Sequence, residues 1–187
     1  MKALAFVAST LVVCCYIGSA IAASMGIVVG SFALACMNNI DSPAELSVLN
    51  KDAAQLRPEH AAPVLKPDRG VGYLHKFDNG GQMIVGIKES GGCKILSMEA
   101  LRPDVEGMIL EGFRRGSIPN RVLAIHKDDQ HHLVQTTFVV TYHGKHLFLV
   151  LLGPDNSSQA GGVSVEVSPA SHPPQNVNPQ ANIAWPG

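Results

Sequence analysis

From Ala3 to Ile40 no residue bears a charged side chain, and that run governs how everything after it can fold. Met1-Lys2 supplies a basic start and Ala3 to Gly18 an apolar core. Ala20 and Ala22 place small residues at the −3 and −1 positions that signal peptidase reads. The pattern predicts a secretory signal over 1–22, cut between Ala22 and Ala23, and therefore a periplasmic or secreted protein with no membrane attachment after cleavage. The alternative is an uncleaved N-terminal anchor, since the run reaches the roughly 20 residues that a bilayer span needs. Gly26, Gly30 and Ser31 interrupt its second half, however, and the apolar residues there fall on one helical stripe. A lipid anchor at Cys14 is disfavoured by the size of Val13 before it.

Export also sets the cysteine arithmetic. Of four cysteines, Cys14 and Cys15 lie in the signal, which leaves Cys36 and Cys93. Two cysteines in an oxidising compartment most simply form one disulfide. A catalytic thiol would need a nearby histidine and a reducing setting.

The 187 residues allow one domain with a hydrophobic core. Charged residues at 16% against 46% apolar exclude a disordered polyelectrolyte. A net charge of −1 offers no field for nucleic acid, and 5% aromatics are too few for base stacking. Loss of residues 1–22 removes Lys2 alone among charged groups, so 13 basic residues face 15 acidic ones, a net −2. The positive mean hydropathy, +0.15, is inflated by the export segment.

Val29, Phe32, Ala33, Cys36 and Ile40 repeat at helical spacing and predict a first helix. Ser42-Pro43-Ala44-Glu45 predicts a capped second helix with Leu46, Leu49, Ala53 and Leu56 on one face, stopped by Arg57-Pro58. Glu59 to Arg69 reads as a Pro-rich ordered linker. Val71–Phe77, Gln82–Glu89 and Cys93–Met98 then read as a three-stranded antiparallel meander, with turns at Asp78-Asn79-Gly80-Gly81 and Ser90-Gly91-Gly92.

Pro103 opens a helix with Val105, Met108, Ile109 and Phe113 inward, closed by Arg114-Arg115 and Gly116. Further strands are expected at Arg121–Ile125, Leu133–Tyr142, Leu147–Leu152 and Val163–Val167. Leu147–Leu152 is continuously apolar, as in a strand covered on both faces. Val163, Val165 and Val167 alternate with Ser164, Glu166 and Ser168, as in an edge strand with one solvated side. Residues 168–187 are uncharged and dense in Pro, Asn and Gln, which predicts a disordered tail, with Ile183 and Trp185 as its only docking candidates. The expected organisation is a signal at 1–22, one α+β domain at 23–167 and a tail at 168–187. The expected order is α-α-β-β-β-α-β-β-β-β, around an antiparallel sheet.

An export signal, a helix with Phe32-x-x-x-Cys36, a Ser42-Pro43-Ala44 helix start and Gly91-Gly92-Cys93 opening a strand together resemble a set of small exported proteobacterial proteins of unassigned activity. The resemblance covers roughly residues 27 to 167. It implies an exported α+β domain with Cys36 and Cys93 as a structural pair, and it implies no chemistry. The sequence departs from that set in its Pro-rich segment after the second helix, where those proteins often have aromatic residues.

Candidate chemistry is sparse. There is no Gly-x-Ser-x-Gly, no His-Glu-x-x-His and no phosphate-binding loop. Of eight histidines, His131-His132 and His143-x-x-His146 would flank one strand. At about 3.3 Å per residue they stand about 30 Å apart, so one metal cannot join them. His143 and His146 could share an ion, without an evident third ligand. No catalytic residue and no cofactor is assigned. A small binding or interaction domain of unknown ligand is expected, with a protein partner as one candidate. The alternatives are an inhibitor or immunity protein, inserting Asp78–Gly81 or His143–His146 into an envelope-acting enzyme, and an unrecognised hydrolase or metal-binding protein.

Overall fold

Alternating side chains along the strands define two faces of one continuous sheet. The structure is a computed structural model that describes residues 25–155, 162–174 and 186. The expected signal and most of the expected tail lie outside these residues. Helix α1 covers residues 25–38. It is followed by α2 (Pro43–Leu49), β1 (Ala54–Gln55), α3 (Pro58–Leu65), β2 (Gly70–Lys76), β3 (Gln82–Lys88), β4 (Cys93–Ser97), α4 (Arg102–Arg115), β5 (Asn120–Asp128), β6 (Leu133–Tyr142), β7 (Lys145–Pro154) and β8 (Val163–Pro169). The class is α+β. All eight strands join one sheet in the order β1-β2-β3-β4-β8-β7-β6-β5, and every neighbouring pair is antiparallel.

The expected order lacked two elements, β1 and α3. The second helix stops at Leu49, where Asn50 turns its side-chain amide back onto the Leu46 carbonyl at 2.6 Å. Leu46 is buried, but Leu49 is exposed, so the expected stripe through Ala53 and Leu56 is not one helix. Ser42 makes no side-chain cap. Pro58, expected as a stop, begins α3, because a proline at the first helical position lacks only a donor that would be unpaired there. Pro63 lies inside this helix on its exposed side, while Ala61, Val64 and Leu65 are buried.

The largest correction concerns β8. Its polar–apolar alternation suggested an edge, yet it pairs with β4 on one side and β7 on the other. Val163, Val165 and Val167 are completely buried in the main core. The polar side is not a solvent side. Glu166 there accepts a hydrogen bond from the buried Lys88 ammonium at 2.5 Å. β8 also continues to Pro169, two residues beyond the expected end of the domain, and Pro174 after it is buried.

Helices α1 and α4 cover the inner face of the sheet. Val29, Ala33, Cys36 and Ile40 are buried as their spacing predicted, together with Met25 and Met37. The glycines that interrupt the apolar run are where α4 sits. A Cβ on Gly26 would lie 2.5 Å from Asp104 Cβ, and one on Gly30 would lie 2.7 Å from Met108 Cβ. Gly112 of α4 reciprocates by receiving Leu34. Both sets advance by four residues in the same direction, so the two helices run parallel with their backbones in close contact. Phe113 meets Phe138 edge-on at 6.2 Å and fastens α4 to β6. On the outer face α3 lies over β2 and β3, with Ala61 against Gly72 and Leu65 against Gly86.

Cys36 and Cys93 form a disulfide, with Cα atoms 6.3 Å apart and both residues buried. It ties α1 to the first residue of β4 across a separation of 57 positions. A loop of that length is worth about 4 kcal/mol in the chain-entropy account. Thiol titration of the denatured, unreduced protein should find neither cysteine free. The Cys36→Ala/Cys93→Ala double variant should lose stability of about that size in urea unfolding. Two titratable thiols would contradict the bridge.

Candidate functional site

The sheet ends on one side at β1, which has two residues, and on the other at β5, which has nine. Among the described strands β5 pairs with β6 alone. The sequence suggested a short strand at Arg121–Ile125, whereas the pairing runs from Asn120 to Asp128 with an irregularity between Val122 and Ala124. That bulge turns Leu123 onto a small outer-face cluster of Val139, Phe148 and Val150. Seven of the nine residues are exposed.

Val122 and Ile125 lie opposite Phe138 and Thr136, so both side chains project on the inner face, beyond the helical cover. They are 44% and 62% exposed. Arg121, His126 and Lys127 place cationic or titratable groups along the same strand. An outer strand presents unpaired N–H and C=O groups, and bulges and lysines are the usual guards against indiscriminate pairing. β5 has both guards and still displays two aliphatic side chains. That combination suits a selective extended partner, held by main-chain hydrogen bonds and by pockets for alternate side chains.

The histidines do not converge. His143 and Gly144 form a tight hairpin turn with φ of 49° and 74°, and His143 packs edge-on against Tyr142. His146 Nδ1 lies 3.3 Å from Thr141 Oγ1. No group of three His, Cys, Asp or Glu side chains that could hold a metal occurs among the described residues. His131 belongs to Asp128, whose carboxyl it holds below the ordinary range through a side-chain hydrogen bond of 2.7 Å. Arg114 and Arg115 both turn onto Glu111 and, through hydrogen bonds, bring its carboxyl down to about 2. The arginine pair therefore caps and solvates the end of α4 and is engaged with its own helix.

His75, on β2, has a different environment. Its ring packs edge-on against Phe32 of α1 at 5.0 Å and stacks near Phe77. Its Nε2 lies 2.6 Å from Asn50 Oδ1. Because the Asn50 amide nitrogen is committed to the Leu46 carbonyl, Oδ1 faces the ring and Nε2 donates. Nothing local in the sequence could connect these residues, because the contact spans 25 positions. The arrangement pins the end of α2 to β2.

Comparison with protein-family models, with curated proteins and with solved structures returns no match. No helix among the described residues is long and apolar enough to cross a membrane.

Burial lowers the His75 pKa below 6.5. The unfolded state then takes up the proton more readily than the folded one. Stability should be full above the ordinary imidazole value and fall as pH drops through it toward the lower folded value. Urea unfolding at stepped pH should show this decline. In His75→Gln the component of the slope that sets in as pH falls below about 7 should disappear. A slope unchanged in the variant would refute the assignment.

Proposed function

We propose that the protein is an exported binding module that holds a protein partner along β5. The observation that supports this reading most is a nine-residue outer strand, exposed on both faces, with Val122 and Ile125 uncovered. The edge first suggested by the valines of β8 is the centre of the sheet, so the binding edge moves to β5. The charge-free run from Ala3 to Ile40, with Ala20 and Ala22 at cleavage spacing, supports export. The buried disulfide fits an oxidising compartment. Hydrolase and metal-binding readings have less support, because no third ligand joins His143 and His146 at their hairpin among the described residues. An inhibitor or immunity protein would be one form of the same module, with an enzyme as the partner.

A photo-crosslinking residue at Val122 tests the reading in cells that export the full-length protein. We expect one discrete adduct, reduced at least tenfold by Ile125→Glu. This exposed substitution should shift folding stability by only about 0.5 kcal/mol. The same adduct from a crosslinker at the exposed Val48 of α2, or an adduct indifferent to Ile125→Glu, would contradict it.

A further inference from the structure

We infer that a recess on the outer face of the sheet is a binding site for a single carboxylate group of a peptide. Its floor is Val150 of β7, with Ser164 and Glu166 of β8 beside it, and Lys94 of β4 and Lys66 after α3 open onto it. Pro67 and Pro174 form its walls. None of these residues belongs to the β5 edge, and the inference does not depend on that edge.

The charges decide what the recess accepts. Glu166 is already engaged, because Lys88 Nζ lies 2.5 Å from its Oε1 and 2.9 Å from Asp68 Oδ2. The Lys88 side chain is only 5% exposed and is engaged by both carboxylates. Lys94 stands directly opposite Glu166 in the β4–β8 register, yet it forms no ion pair among the described residues. Lys66 forms none either. Three lysines and two carboxylates leave a net charge of +1, held by ammonium groups at the open side of a recess with an apolar floor. Such surroundings strengthen the pull on an incoming anion.

Size and charge together select the ligand. The recess encloses about 100 Å³, well below the roughly 300–1,000 Å³ of a site for a whole small molecule. It has room for a carboxylate on one or two methylenes, presented by something larger. A phosphate group, with a charge of about −1.5 to −2, would exceed the single positive surplus. A carboxylate matches the surplus and can accept from both ammonium groups and from the Ser164 hydroxyl. An acidic side chain and the free C-terminus of a peptide supply the same chemistry.

The test is an NMR titration of the isotope-labelled full-length protein with three N-acetylated tripeptides. One has a free C-terminus and no acidic side chain, one has a central glutamate and a C-terminal amide, and one is a neutral amide. We expect the Lys94, Ser164 and Glu166 amides to shift with at least one carboxylate peptide, which identifies the source, and not with the neutral peptide. Lys94→Met should weaken binding at least tenfold and Lys94→Arg should largely retain it, with the inner-face amides unmoved in both variants. Ile125→Glu should bind as the parent protein does. Equal shifts with the neutral peptide, no shift with either carboxylate peptide, or unchanged binding in Lys94→Met would overturn the inference.

Discussion

The double pairing of β8 is the interaction on which the rest of this structure depends. β2–β4 and β5–β7 are each local meanders, and neither alone could bury both the helices and its own apolar side. β8 returns between them, pairing Cys93 with Val167 on one flank and Leu149 with Val167 on the other. Val163, Val165 and Val167 thereby become the middle of the inner core. Such pairing closes a long loop before it yields contacts. The disulfide at Cys93 holds α1 against the strand that receives β8.

The two faces are built by different means. The inner face is mainly apolar, with close-packed aliphatic and aromatic side chains beneath two parallel helices whose approach Gly26, Gly30 and Gly112 permit. The outer face mixes α3, a small apolar cluster and an ionic group in which buried Lys88 bridges Asp68 and Glu166. A buried cation that lost one of these partners would be strongly destabilised, which makes the pair more a constraint on register than a source of net stability. Glu166 can occupy a central strand because Lys88 meets it there.

This explains which parts of the fold were legible. The stripe Val29-Ala33-Cys36-Ile40, the meander and the apolar run Leu147–Leu152 are local patterns, and each appears where its periodicity placed it. Cysteine arithmetic alone yielded the pair. The position of β8 was not legible, because the partner of Glu166 lies 78 residues away and a polar alternation looks the same beside solvent as beside a buried ammonium. α3 was hidden by its two prolines, whose tolerance depends on Pro58 being first and Pro63 facing outward. The candidate site was the least legible part. β5 is an edge only through the topology of the other seven strands, and Lys94 gains meaning only once Lys88 is seen to occupy Glu166.

The protein thus has a sheet closed at its centre by β8, with β5 as an outer strand among the described residues. Native-state hydrogen exchange, resolved by residue, measures this directly. The Val163, Val165 and Val167 amides should exchange only through global unfolding, while outward-facing amides of Asn120–Asp128 exchange by local opening many-fold faster. Fast exchange across β8 with uniform protection of β5 would contradict both the topology and the proposed placement of a binding edge at β5.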